Sequence, residues 1–182
     1  MVSIDPIPFE SPAGVTIAEA GKLKPQWIQP DLDVPSNEVR FKKLAQSIVG
    51  PTTDVAEAAR KIQKWVFSIM TPDASIGVLR NANDVLASKR GVCRDYAILC
   101  ATICRASGIP AKLVTGLVDW DGDYYYHAWV LYYNGKNWVG LDSTCPDRQM
   151  CASHIALAYG SLAKAFQTIF LQNPTMTVVS YK

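Results

Sequence analysis

Gly91-Val92-Cys93-Arg94-Asp95-Tyr96-Ala97 is the stretch on which the rest of the chain turns. It follows Lys89-Arg90 and runs into an almost unbroken apolar segment, Tyr96 to Ala106. That pattern predicts a buried helix from Val92 to Ser107, ended by Gly108 with Pro110 beyond. Cys93 falls in its first turn. N–H groups without partners inside the helix and the positive end of its dipole favour an anion there, hence thiolate over thiol. On this stretch alone, a small apolar residue filling a buried helix is an equally good account of the cysteine.

Working outward, 182 residues with 49% hydrophobic composition suit one domain with a sizeable core. The formal net charge is +2, and apart from Lys42-Lys43 and Lys89-Arg90 the basic residues are scattered. No basic stripe follows a phosphate backbone, so nucleic acid is not an expected partner. No apolar run reaches transmembrane length, and Met1 to Glu10 carries proline and acid where a secretory leader has a basic start and a greasy centre. A soluble, cytoplasmic protein without membrane contact is expected.

Five cysteines cannot all pair within one chain. Cys93, Cys100 and Cys104 line one helix face, where mutual bridging is awkward, and read as reduced residues. Cys145 and Cys151 can close a small loop, which would imply an oxidising compartment. No C-x-x-C pair has histidines nearby, and Asp119, Asp121 and Asp123 alternate without the rest of a calcium loop. No metal and no cofactor are expected.

Along the chain, Pro6, Pro8, Pro12, Pro25, Pro30 and Pro35 predict an extended N-terminal arm, 1–35, without regular structure, ahead of a domain spanning 36–182. Ser36 is placed to cap a helix carrying Val39, Leu44, Ile48 and Val49, with Gly50-Pro51 as its stop. Asp54 and Glu57 resemble a capping box before the stripe Val55, Ala59, Ile62, Val66 and Ile69. Asn81 and Asn83 read as cap or turn residues beside a short helical piece, Asp84 to Ser88.

After the cysteine helix the hydrophobic period changes. Lys112 to Trp120, Tyr124 to Tyr133 and Asn137 to Asp142 read as strands joined by Asp121-Gly122 and Asn134-Gly135 turns, an antiparallel meander. Ile155 to Tyr159 fits strand or helix, and Thr175 to Tyr181 a final strand. The class is α+β, with helices packed on an antiparallel sheet.

A thiolate nucleophile needs a base to take its proton and return it to the leaving group, and imidazole suits both tasks. His127 lies mid-strand on the face shared by Tyr125 and Trp129. Asp142 ends the next strand, fifteen residues on, where hairpin pairing brings it beside the ring as an orienting acceptor. Taken singly, each has an ordinary explanation: a structural histidine and a strand-end turn former. Arg94 and Asp95 read as a pair anchoring the helix start, and His154 as structural.

Four ordered blocks lift these residues together: Gly-Val-Cys-Arg-Asp-Tyr-Ala at 91–97, Ala-Ser-Gly-Ile-Pro-Ala at 106–111, His-Ala-Trp at 127–129 and Trp-Val-Gly-Leu-Asp at 138–142. In that order they resemble the transglutaminase-like superfamily, in its compact bacterial and archaeal branch, over about residues 55 to 160. The resemblance implies a papain-like layout in which Cys93 is the nucleophile, His127 the base and Asp142 its orienting partner. It implies thiol-dependent acyl transfer on amide bonds through a thioester, as a cysteine protease or amidase acting on a peptide or protein. A protein-glutamine cross-linking enzyme and a catalytically silent binding module of the same fold are the alternatives. The Cys93 N–H is the natural oxyanion donor, and Asn81, Asn83 or Gln63 a candidate for the second. The chain departs from the branch at Leu131, at Ser143 and at Ser161-Leu162-Ala163-Lys164 after Tyr159-Gly160.

Overall fold

A complete capping box opens the first helix. Thr16 Oγ1 accepts the Glu19 N–H at 3.2 Å and the Glu19 carboxylate accepts the Thr16 N–H at 2.8 Å, starting α1 (Ile17–Leu23). The computed structural model describes residues 14–147, 150 and 153–160. The expected arm is therefore corrected over its described part, which holds α1 and a 3-10 turn at Pro25–Trp27 and buries Ala20 and Val34 completely. Pro25 stands at the first position of that turn, where a missing N–H costs nothing. The expected final strand, 175–181, lies outside the described residues.

Helix α2 (Val39–Val49) starts from Glu38, and Ser36 does not cap it. The Ser36 hydroxyl faces the Ile28 carbonyl instead, at 3.5 Å. Phe41, Ala45 and Val49, four residues apart, form its buried stripe. Val39, at its first position, is 67% exposed. Helix α3 (Val55–Ile69) is capped by Asp54, whose carboxylate accepts the Ala56 and Glu57 N–H groups at 3.0 and 2.8 Å. The box stays half made, because the Glu57 carboxylate turns to the Thr52 hydroxyl at 2.7 Å.

A short strand β1 (Thr71–Pro72), helix α4 (Ala82–Ser88), strand β2 (Arg90–Gly91) and helix α5 (Cys93–Ala106) follow, with β1 and β2 paired in parallel. Then come β3 (Ala111–Trp120), β4 (Asp123–Tyr133), β5 (Trp138–Leu141) and β6 (His154–Tyr159), an antiparallel sheet in the order β5-β4-β3-β6. Ile155 to Tyr159 thus resolves as strand. The class is the expected α+β.

Helix α5 is buried from Asp95 to Arg105, among α2, α3, α4 and one face of the sheet. Ala111, Leu113, Ala128, Val130, Tyr132, Val139 and Leu141 supply that face. Val114, Trp129 and Leu131 form a smaller cluster on the other. At the end of α5 the Arg105 guanidinium reaches the Gln29 carbonyl at 3.0 Å and Asp31 Oδ2 at 2.8 Å, tying the N-terminal segment to the core. Among the described residues, no helix is long and apolar enough to cross a membrane.

Turn chemistry fixes the register that matters for the site. Asp121 and Gly122 both take positive φ, 57° and 90°, in the two-residue hairpin between β3 and β4. Between β4 and β5, Asn134 Oδ1 accepts the Lys136 and Asn137 N–H groups at 2.9 and 2.7 Å, closing a four-residue loop that sets Tyr133 opposite Trp138. Continued one step past Leu141, this register brings Asp142 level with Trp129, on the same side as His127.

Candidate active site

Cys93 is the first residue of α5, and the helix start around it is built from buried charge. Asp95 is fully buried. Its Oδ2 accepts the Val92 N–H at 2.9 Å and its Oδ1 lies 3.2 Å from the Arg80 guanidinium. A Cβ on residue 91 would collide with the Asp95 side chain, which accounts for Gly91. Arg94 donates to the Ile76 and Val78 carbonyls at 2.7 and 2.8 Å, holding down the preceding loop. Arg94 and Asp95 therefore both anchor the helix start, but not as the pair expected: Arg80 is the partner of Asp95.

The thiols differ in environment. Cys93 is half-buried, while Cys100 and Cys104 are sealed in the core. A hydrogen bond with Cys100, then burial, pushes the Cys104 thiol well above its ordinary range. Cys145 is free and half-buried, and its proposed partner Cys151 lies outside the described residues.

The structure brings Cys93, His127 and Asp142 together. His127 Nε2 lies 2.7 Å from Asp142 Oδ2, and Cys93 acts on the same ring, whose Nδ1 is the nitrogen left for the sulfur. By strand alternation His127 belongs to the face away from α5, with Trp129 stacked 6.1 Å away. The meeting takes place where β5 stops at Leu141, so that β4 is an open edge toward its N-terminal half. Burial works against a charged ring, but the hydrogen bonds to Asp142 and Cys93 and their negative charge outweigh it, and His127 is pushed up to about 9. For Asp142 burial opposes ionisation, yet the hydrogen bonds from His127, His154 and Thr144 and the charge of the ring hold it well below the usual carboxylate range.

Three further residues complete the surroundings. Thr144 donates its N–H and hydroxyl to Asp142 Oδ1 at 2.9 and 2.7 Å. Gln63, buried on α3, donates Nε2 to the Asp142 backbone carbonyl at 2.9 Å, so it braces the aspartate. His154, at the start of β6, sits with Nε2 3.5 Å from Asp142 Oδ2 and its ring edge-on to Trp129 at 5.2 Å. Asn81 caps α4, and Asn83 Nδ2 donates to Glu38 at 3.0 Å, so both have structural employment. A cavity of about 320 Å³ opens beside the group, between an apolar wall of Val118, Trp120 and Tyr125 and a polar one of His127, Asp142 and His154.

A helix that begins on a cysteine, packed against an antiparallel sheet carrying a histidine and an aspartate, defines an α+β protein of papain-like layout. The sequence profile of the transglutaminase-like superfamily matches residues 42–143, and the chain belongs to that superfamily. An uncharacterised protein of Mycobacterium tuberculosis is 26% identical over 129 residues, covering 63% of this chain and 41% of its own length. The chain thus spans about two fifths of the curated relatives it matches. A crystal structure from Cytophaga hutchinsonii, provisionally described as a cysteine protease, is similar at 26% identity and a TM-score of 0.66, over 74% of this chain and 46% of that one. The periplasmic domain of TgpA from Pseudomonas aeruginosa shares the fold at 21% identity and a TM-score of 0.53, over 69% and 48% of the two chains.

Proposed function

We propose that the protein is a thiol-dependent acyl-transfer enzyme that hydrolyses amide bonds of a peptide or protein through a thioester on Cys93. The observation that carries this reading is a single imidazole held 2.7 Å from a buried carboxylate and raised in basicity by that carboxylate and by Cys93 together. His127 holds the proton taken from Cys93, and the thiolate adds to the amide carbonyl carbon. The Cys93 N–H, at the positive end of α5, faces the developing oxyanion. The imidazolium then gives its proton to the departing amine as the C–N bond breaks, leaving the thioester. A water molecule, deprotonated by His127, attacks that thioester, and release of the acid returns the proton to sulfur. Asp142 holds the ring in the required tautomer throughout. The similar Cytophaga structure, provisionally described as a cysteine protease, supports hydrolysis as the outcome.

The test is iodoacetamide labelling at neutral pH with peptide mapping, followed by cleavage of a peptide library. Cys93 is expected to react faster than Cys100, Cys104 or Cys145, and Cys93→Ala to abolish cleavage while the fold persists. Equal labelling of these four thiols without cleavage overturns the reading and leaves a binding module, and cleavage by the Cys93→Ala protein overturns Cys93 as the nucleophile. Incorporation of a labelled primary amine into a glutamine-containing protein, with ammonia release and no cleavage, replaces hydrolysis by cross-linking.

A further inference from the structure

Three ligand atoms from separate parts of the sheet converge beside the cavity. His127 Nε2 and His154 Nε2 lie 2.7 and 3.5 Å from the same Asp142 Oδ2, and one ligand atom from each of the three side chains lies within 4.8 Å of the other two. Ligands about 2.0–2.1 Å from a tetrahedral zinc ion stand roughly 3.3 Å apart, a spacing that these separations bracket. The side chains are 13%, 8% and 7% exposed for His127, Asp142 and His154, while the 320 Å³ cavity that all three line offers an ion a way in.

Each ligand is also oriented from behind, as metal ligands characteristically are. Ser153 Oγ lies 3.2 Å from His154 Nδ1, Thr144 holds Asp142 Oδ1, and Cys93 occupies the other side of the His127 ring. Two imidazoles and one carboxylate form a donor set for a zinc-type ion rather than for calcium or magnesium, which take oxygen.

We propose that His127, Asp142 and His154 form a binding site for a divalent transition-metal ion of the zinc type, and that the bound ion switches the Cys93 site off. On binding, the His127 Nε2 proton passes to solvent and His154 takes the tautomer with its proton on Nδ1, toward the Ser153 hydroxyl, so that both Nε2 lone pairs coordinate the ion. His127 then keeps its one remaining proton on Nδ1, facing sulfur, and a neutral metal-bound ring gives that proton to a departing amine far less readily than an imidazolium does, so the ring is not freed to act as base in the next step. The base of the acyl-transfer cycle is thereby removed. The inhibition rests on the function proposed above; the binding does not, and the test reads binding first.

The full chain, stripped with EDTA, is titrated with Zn²⁺ by calorimetry and with Co²⁺ by visible spectroscopy. A His154-dependent ion is expected, with tetrahedral cobalt bands and no sulfur-to-cobalt charge transfer. Cys93→Ala should bind as the wild type does. His154→Gln and Asp142→Asn, checked for folding by circular dichroism, should each weaken binding at least tenfold. In the wild type, Zn²⁺ should protect His154 from diethyl pyrocarbonate, a reading that needs no variant. No binding, binding unchanged in both ligand variants, binding lost in Cys93→Ala, or no protection of His154 overturns the site. Binding with all these signatures but no slowing of amide turnover keeps the site and overturns the switch.

Discussion

Asp142 is held at both carboxylate oxygens and at its backbone carbonyl: His127 Nε2 lies 2.7 Å from Oδ2, Thr144 occupies Oδ1 through its N–H and hydroxyl, and Gln63 occupies the carbonyl. A carboxylate fixed in this way dictates which nitrogen of His127 carries the proton, and so which faces the sulfur. Asp142→Asn keeps the shape and removes the charge, and its amide can hold the ring in the wrong tautomer. Amide turnover should fall by roughly 10³–10⁴-fold with the fold intact. A loss of only two- or threefold in steady-state rates would make Asp142 a strand-end residue.

The same contacts set a pH window, read in metal-free protein. His127, pushed up to about 9, stays protonated through neutral pH and loses its proton as the pH climbs through that value. Its raised value contributes stability that is fully present below the unfolded ring's value of about 6.5 and is lost as pH rises through about 9. Asp142 has the opposite sign: its contribution is present above the unfolded carboxylate value of about 4 and is lost on acidification. The urea midpoint should therefore decline between about pH 6.5 and 9, and decline less in Asp142→Asn. Turnover should drop above pH 9, because the departing amine receives no proton, whereas iodoacetamide alkylation of Cys93 should not. Turnover still rising beyond that point would remove the imidazolium from the mechanism.

Much of this site was legible because its signals are local. A long apolar run after Gly91-Val92-Cys93 marks a central helix, and Asp121-Gly122 and Asn134-Gly135 mark hairpins that align His127 with Asp142. What escaped depends on contacts that leave no local trace. Gln63 meets Asp142 across 79 positions, and the pairing of Asp95 with Arg80 rests on how the loop before α4 folds back. His154 reaches the carboxylate through the β3–β6 pairing, where the register shifts at Thr115/Gly116 and the Ile155 carbonyl occupies the space a Cβ on Gly116 would need. No spacing rule for metal ligands anticipates that. In the N-terminal segment the count of prolines masked a four-residue signal, Thr16 to Glu19, that starts a helix.

Asp95 is expected to matter for stability more than any other charge near the cysteine. Asp95→Ala leaves the Arg80 guanidinium, only 12% exposed, without its counter-charge and the Val92 N–H without an acceptor. Removing one member of a buried pair in this way costs about 3–5 kcal/mol. Urea denaturation at neutral pH measures it directly, and a change below about 1 kcal/mol, the range of an exposed pair, would mean that the pair is solvated in solution.

Gln63 separates two roles by the size and kind of its effect. As the brace on the Asp142 carbonyl, its replacement in Gln63→Leu keeps most of the volume and leaves a buried acceptor unpaired, at a cost of about 1–3 kcal/mol in folding. Amide turnover should fall only about tenfold, because the His127–Asp142 bond itself is untouched, and the fall above pH 9 should stay where it is. An oxyanion donor behaves differently: its loss costs about 10²–10³-fold in kcat while alkylation of the thiol, which passes through no oxyanion, is unaffected. Measuring kcat, urea stability and Cys93 alkylation on the one variant therefore decides between them. A large fall in kcat with stability and alkylation unchanged would put Gln63 at the substrate carbonyl, and a loss of stability with only about a tenfold fall in kcat would keep it behind the aspartate.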